Sequence, residues 1–166
     1  MNLQSEEQRD TLIGIGQMSV SRDRSSNLCA PNLGSCVALS VYDPFVAVGG
    51  MIHCLLPSSK NDLEKAAERP TLYVDTGVVL LLQKMMASGA SKEKLIIKAV
   101  GGAQINDDNN IFEIGKKNVT MLRKVLWKNG LLLASEHFGD CFSRTLTLDI
   151  ETGETTLKIN GHVSKI

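Results

Sequence analysis

The sequence has few aromatic residues and no excess of charge of either sign. Phe, Trp and Tyr make up 4% of its 166 residues, and 18 lysines and arginines balance 18 aspartates and glutamates. Few rings are available to stack on bases, and no general excess of positive charge is available to neutralise phosphates. Both absences argue against a nucleic-acid-binding protein.

Long hydrophobic runs and cysteine motifs are also missing. The longest apolar run, residues 78–82, is far shorter than the roughly 20 residues that cross a bilayer. The N-terminus is polar and acidic, unlike a signal peptide, and the four cysteines include no CxxC pair. We therefore expect a cytoplasmic protein with free thiols and no membrane insertion.

The composition that is present, 43% hydrophobic and 22% charged, is typical of a globular chain. We expect one domain over residues 1–166, with residues 1–10 as a mobile tail. Periodicity and turn signals predict seven strands, at 12–20, 34–42, 46–56, 95–100, 131–135, 145–150 and 155–159. They also predict helices at 72–88 and 114–129, a loop at 21–27, and a loop or short helical turn at 61–70. This order predicts an α/β or α+β fold, a layered sandwich of mixed β-sheet with two main helices.

The strongest candidate for chemistry is a cysteine paired with a histidine. Asp43-Pro44 predicts a turn over residues 43–46. A hairpin closed by that turn places Cys36 opposite His53, with Cβ atoms about 5 Å apart. A thiol beside an imidazole is a nucleophile with its base, and an imidazolium neighbour raises the thiolate fraction. We therefore expect Cys36 to be the most reactive thiol.

The segment before the thiol indicates how an oxyanion could be held. Asn32, Gly34 and Ser35 precede Cys36, and glycine lets a backbone approach closely, so amides here could face a developing negative charge. Gly101-Gly102 also follows a predicted strand, where such a pair indicates a tight turn more often than an anion cradle.

Two other interpretations of the cysteine stay open at this point. Buried cysteines are commonly small core hydrophobes. A zinc site is a further alternative, although the ligand spacings fit no common pattern and we expect no metal. Its ligands would be Cys29, Cys36, His53 and Cys54.

The stretches LGSCVALSVYDP and VGGMIHCLLP carry a resemblance that extends through IGIGQMSV near the start and KAVGGA at residues 98–103. Ile114-Gly115 with Asn118, and later Gly139 and Arg144, continue it. The chain resembles the CheD family of chemoreceptor glutamine deamidases.

This resemblance implies hydrolysis of selected glutamine side chains to glutamate on the cytoplasmic helices of methyl-accepting chemoreceptors, without metal or organic cofactor. It also implies an α/β sandwich related to deamidase toxins, and binding of the CheC phosphatase as a partner. Cys36 matches the family nucleophile and His53 its general base.

One position departs from the family pattern. The family usually has a threonine six residues before the nucleophile, which helps to orient the histidine; this chain has Ala30, which offers only its backbone. Asp140 and Ser143 stand where the family often has glycine. A base without an orienting partner loses control of its tautomer. The alternative function is therefore a weak or inactive adaptor that binds CheC or receptors.

Overall fold

The computed structural model describes residues 9–105 and 113–166, and its strands separate into two mixed sheets. Sheet A has the order β1 (Arg9–Leu12), β3 (Ser26–Leu33), β8 (Arg144–Asp149), β9 (Thr155–Ile159) and β10 (His162–Lys165). Sheet B has the order β2 (Gln17–Ser21), β5 (Val48–Cys54), β4 (Val37–Asp43), β6 (Ile96–Gly101) and β7 (Ser135–Phe138). The β1–β3 and β6–β7 pairs are parallel, and the other neighbours are antiparallel.

Helices cover one face of sheet B. They are α2 (Val74–Ala87) and α3 (Ile114–Lys128), while the short helix α1 (Leu63–Glu68) packs in a separate small cluster with Leu72 and Tyr73. The predicted inner stripe of α2 is buried, and Gly89 follows its end with a φ of 97° that glycine adopts at little steric cost. No helix in the described part of the chain is long and apolar enough to cross a membrane.

Two apolar cores separate three layers. The outer core joins sheet B to the helices and contains Val37, Leu39 and Ile52 together with Leu81 and Leu122. The inner core lies between the sheets, where Leu28 and Leu146 of sheet A meet Ala38, Met51 and Val100 of sheet B. Each large aliphatic side chain buried in this way contributes about 1.5–3 kcal/mol of transfer free energy. The predicted layered α+β sandwich is confirmed.

Sheet A contains most of the differences from the predicted elements. The predicted strand at 12–20 is two strands in different sheets, because the segment around Gly16, at φ 71°, turns the chain from sheet A to sheet B. The predicted loop at 21–27 ends in β3, which is buried through much of its length and has no clean alternation; Pro31 sits in a register shift between Ala30 and Leu33.

The chain ends also differ from prediction. Residues 9 and 10 belong to β1 rather than to a tail, while residues 1–8 lie outside the described residues. β7 begins only at Ser135, where it pairs with Lys98, and the apolar run before it leaves Leu132 87% exposed. β10, which the sequence did not predict, adds an exposed edge strand to sheet A.

Candidate active site

The β4–β5 hairpin carries both residues of the predicted pair, but the predicted register is wrong. His53 lies opposite Ala38 rather than Cys36, and Val37 lies opposite Cys54. The turn occupies residues 44–47. Asp43 stays in the strand because its buried carboxylate accepts the amide protons of Phe45 at 2.9 Å and Ser91 at 2.8 Å.

This correction leaves Cys36 and His53 on one face. A displacement of two residues preserves the facing of every side chain in a strand. Ala38, opposite His53, and Cys36, two positions earlier, both belong to the inner core. Cys36 and His53 are thus diagonal neighbours between the sheets, at a Cβ separation of roughly 7 Å for such positions.

Three consecutive carbonyl groups hold the loop that presents Cys36. The Gly34 oxygen accepts the Ala103 amide at 2.9 Å, and the Cys36 oxygen accepts the Gly102 amide at 2.8 Å. Between them, the Ser35 oxygen accepts the side-chain Nδ2 of Asn118 at 2.9 Å. Cys36 itself is 6% exposed at the entry to β4. The loop is therefore held by the turn that follows β6 and by α3.

Gly102 donates one of these hydrogen bonds, and both it and the preceding Gly101 have an unusual backbone conformation. Their φ angles are 115° and 64°. A Cβ on Gly101 would overlap the Cys36 carbonyl oxygen, and one on Gly102 would lie 2.9 Å from the Gly115 oxygen. The pair is a turn, as expected, and its close approach to the Cys36 loop explains why both positions are glycine.

His53 is 2% exposed and is held through one ring nitrogen. Its Nδ1 lies 3.1 Å from the carbonyl oxygen of Ile13. A carbonyl oxygen can only accept a hydrogen bond, so Nδ1 is the donor. The ring proton therefore resides on Nδ1, and Nε2 carries the lone pair. Nε2 is buried and has no hydrogen-bond partner among the described residues, the Cys36 thiol included. This is the tautomer that a general base requires.

Burial sets the protonation of both groups. It raises the pKa of the Cys36 thiol, and the residue's own backbone N–H opposes this rise. It lowers the pKa of His53, against an opposing contribution from the Ile13 carbonyl. The resting pair is thus a neutral thiol and a neutral imidazole. These pKa directions run against the expected thiolate favoured by an imidazolium.

The remaining predicted site residues occupy distinct places. Gly34 and Ser35 form the bend directly before Cys36. Ala30 is fully buried in β3 and pairs with Leu146. Asn32 is exposed at φ 54°, and its amide donates to the Thr145 hydroxyl at 3.4 Å. The acceptor that meets His53 is neither Ala30 nor a neighbour of the thiol but Ile13.

A buried arginine, Arg144 at the start of β8, hydrogen-bonds to β7 and to the segment between β7 and β8. The Arg144 side chain is fully buried and donates from Nε to His137 Nδ1 at 2.9 Å and from Nη1 to the Phe142 oxygen at 3.2 Å. Asp140, at φ 59°, places its carboxylate 3.4 Å from Nη2. This left-handed φ is one that glycine adopts freely and aspartate tolerates better than most residues.

Ile13 and Asn118 are the contacts that sequence reasoning did not assign. Ile13 acts through a backbone carbonyl, for which the sequence carries no signal. Asn118 stands on the apolar stripe of α3 with Leu122 and Val125 and is fully buried. A polar residue at such a position is a recognisable signal of a specific hydrogen-bonding role.

The alternative zinc ligands are not assembled in the structure. Cys54 points into the outer core, away from His53. Cys29 alternates along β3 with Leu28 and Ala30, which face the inner core, so Cys29 is on the opposite face of its strand. Within residues 9–105 and 113–166, no group of three or more potential ligands is placed to hold a metal ion.

Comparison with known proteins identifies the family. A family model described as CheD chemotactic sensory transduction matches residues 55–159. The probable chemoreceptor glutamine deamidase CheD 1 of Syntrophus aciditrophicus (strain SB) is 42% identical over 152 residues, which cover 92% of this chain and 95% of the relative. The chain belongs to the CheD family. The resemblance inferred from the sequence is confirmed.

Other organisms also have relatives with this name. The probable chemoreceptor glutamine deamidase CheD of Solibacter usitatus (strain Ellin6076) is 41% identical over 150 residues, covering 90% of this chain and 89% of the relative. That of Thermococcus kodakarensis (strain ATCC BAA-918 / JCM 12380 / KOD1) is 38% identical over 148 residues, covering 88% and 90%. The similarity therefore extends well beyond the part matched by the family model, which begins after His53.

Proposed function

We propose that this CheD chain is a protein-glutamine deamidase that acts on chemoreceptors, with Cys36 as nucleophile and His53 as general base. One observation carries this proposal: the Ile13 carbonyl occupies Nδ1 of His53 and leaves a lone pair on Nε2, on the same face of sheet B as the thiol. The names of the relatives supply the substrate class, glutamine side chains of chemoreceptors.

Catalysis begins with proton transfer, because the buried thiol is protonated at rest. Nε2 of His53 takes the Cys36 proton, and the resulting thiolate attacks the carboxamide carbon of the glutamine side chain. The C–S bond forms as the C=O π electrons move to oxygen. The backbone N–H of Cys36 is the donor we assign to this oxyanion.

Collapse of this intermediate releases ammonia. The imidazolium of His53 gives its proton to the departing nitrogen, and the C–N bond breaks to leave a thioester on Cys36. Neutral His53 then takes a proton from water, whose oxygen attacks the thioester carbon. The C–S bond breaks, the thiol regains its proton, and the product is glutamate. The overall reaction consumes one water and releases one ammonia.

The new glutamate adds a negative charge to a receptor helix and can bias a signalling equilibrium through electrostatics. Binding of CheC remains part of the proposal as a prediction from the family resemblance.

A second candidate function is an adaptor with little or no activity. Two observations favour it: Ala30 lacks the family hydroxyl, and Cys36 is 6% exposed with a raised thiol pKa. An adaptor needs the folded surface but not the thiol.

Ammonia release from purified receptor cytoplasmic fragments separates these functions. We expect the native chain to release ammonia and to convert specific glutamines to glutamate, each with a mass increase of about 1 Da, and Cys36→Ala to do neither. Cys36→Ala should nevertheless still bind the fragments. Equal inactivity of both proteins on several fragments, with binding retained, would favour the adaptor.

A further inference from the structure

Asn118 bonds to both chain segments that carry the Cys–His pair. Its Nδ2 lies 2.9 Å from the Ser35 oxygen and 3.0 Å from the Leu55 oxygen. Ser35 directly precedes Cys36, and Leu55 follows His53 by two residues. A single carboxamide on α3 therefore ties the entry of β4 to the exit of β5.

The orientation of this carboxamide follows from its partners. Both contacts are backbone carbonyls, which only accept, so the group that faces them is the NH₂ with its two donors. Both of its protons are used. The other end of the group, Oδ1, is buried and has no hydrogen-bond partner among the described residues.

The orphaned oxygen argues against a purely stabilising role. A buried acceptor without a partner costs about 1–3 kcal/mol, and Leu122 and Val125 show that the same helix face packs well with apolar side chains. An asparagine at this position despite that penalty is expected where its donors serve the site.

The bond to Ser35 also sets the direction of the Cys36 amide. The peptide bonds of the described chain include no cis bond. In a trans peptide the C=O and the following N–H point in opposite directions. With the Ser35 oxygen directed at α3, the Cys36 N–H points away from the helix. The lowering of the Cys36 pKa by this same N–H agrees with that direction.

We propose that Asn118 is a positioning residue of the deamidase site: its two Nδ2 hydrogen bonds fix the spacing of Cys36 and His53 and aim the Cys36 amide at the oxyanion. The inference rests on the proposed function. Asn118 does not contact substrate in this role; it acts through the backbone carbonyls of Ser35 and Leu55, which neighbour Cys36 and His53 in the chain.

The test compares two asparagines of the same helix region. Asn118→Leu removes the carboxamide with little change in size. Asn129→Leu, at the C-terminal end of α3, removes one that also donates to a backbone carbonyl, Val125 at 2.8 Å, but lies away from the site. Asn118→Asp keeps the shape and can donate only when its carboxyl is protonated.

Three measurements are made on each full-length variant. They are kcat and KM for ammonia release from a receptor fragment, the rate of Cys36 alkylation by iodoacetamide between pH 6 and 10, followed by peptide mass mapping, and the thermal unfolding midpoint. We expect Asn118→Leu to lower kcat about 100-fold, the scale of a lost oxyanion donor or a small misplacement of reacting groups. KM should change less than about threefold, and Asn129→Leu should leave kcat near native.

The alkylation profile is the readout that a merely structural role would not change. Loss of the aimed amide should move the Cys36 profile of Asn118→Leu to higher pH, whereas Asn129→Leu should keep the native profile. The kcat of Asn118→Asp relative to the native chain should rise as the pH falls, because the protonated carboxyl regains one donor. If Asn118→Leu does not fold, the Asn118→Asp profile decides the question.

Folded Asn118 variants with native alkylation profiles and kcat within about threefold of native would overturn the inference. Equal losses in Asn118→Leu and Asn129→Leu would do the same. If the native chain releases no ammonia from any fragment, the proposed function fails, and the alkylation profiles still decide whether Asn118 positions Cys36.

Discussion

Gly101→Ala offers a direct test of how tightly the thiol loop is held. At φ 115° an alanine is strained wherever it stands, and here its Cβ would also lie 3.1 Å from Val37 Cα and overlap the Cys36 carbonyl oxygen. Both atoms belong to backbone, so no side-chain rotation relieves the overlap.

Gly161 provides the matched control. Its φ is 81°, also in the region that favours glycine, and no atom lies within 4 Å of the place where a Cβ would stand. Gly161→Ala therefore introduces the conformational strain alone, about 1–2 kcal/mol. Gly101→Ala adds the overlap and disturbs the Gly102–Cys36 and Ala103–Gly34 hydrogen bonds, each of which contributes about 1 kcal/mol.

We expect Gly101→Ala to lower the free energy of unfolding by about 3–5 kcal/mol, at least 2 kcal/mol more than Gly161→Ala. Urea titrations followed by circular dichroism give both values by linear extrapolation. Any folded Gly101→Ala should also lose most ammonia release because Cys36 is displaced. If the two variants differ by less than about 0.5 kcal/mol, the Cys36 loop is free to move and the rigid-loop argument is refuted.

The two buried groups and the position of the missing threonine give three more expected outcomes. Because burial lowers the pKa of His53, the unfolded chain binds more protons than the folded chain just below the ordinary histidine pKa of about 6.5. The free energy of unfolding should therefore decrease as the pH is lowered through this range, by up to about 1.4 kcal/mol per pH unit. In urea titrations at pH 5.5 and 7.5, His53→Gln should lose this part of the dependence; an unchanged dependence would contradict it. At pH 7 iodoacetamide should modify exposed Cys141 before Cys36, whose thiol pKa is raised, and mass mapping that finds Cys36 first would reveal a preformed thiolate. Ala30→Thr should leave kcat within about threefold because the Ile13 carbonyl already holds His53, while the added atoms at a fully buried position lower stability by about 1–3 kcal/mol. A tenfold gain in ammonia release would assign the orienting role to the restored hydroxyl instead.

Much of the fold follows from local pattern. The buried stripe of α2 and the turn glycine after it lie where the 3.6-residue period places them, and the β8–β9 hairpin closes at Gly153, with φ 73°, as its loop predicts. Both features depend on residues within a few positions of each other, so the chain carries the information within each segment.

Sheet A shows where that information ends. β3 has a neighbouring strand on each side and is buried through much of its length, so its sequence SNLCAPNL lacks the alternation that marks a half-buried strand. β1 and β2 follow each other closely in the chain yet join different sheets, a choice made by pairing partners far along the sequence. Local propensity cannot express either fact.

For the candidate site, the sequence by itself determined the family, the Cys36 and His53 pair and the strand face they share, because facing in a strand depends only on odd and even spacing. The tertiary structure decided the pairing register of β4 and β5, the tautomer of His53 and the hydrogen bonds that hold the site. The hydrogen bonds of the buried Asp43 carboxylate keep Asp43 in the strand, so the residue opposite His53 differs by two positions from the predicted one. The Ile13 carbonyl meets His53 across 40 positions of sequence, and Asn118 meets the Ser35 carbonyl across 83. The Ile13 and Asn118 contacts use backbone carbonyls, and the Asp43 carboxylate accepts from backbone amides. Such backbone groups occur along the whole chain, so only the folded chain reveals which of them meets which side chain.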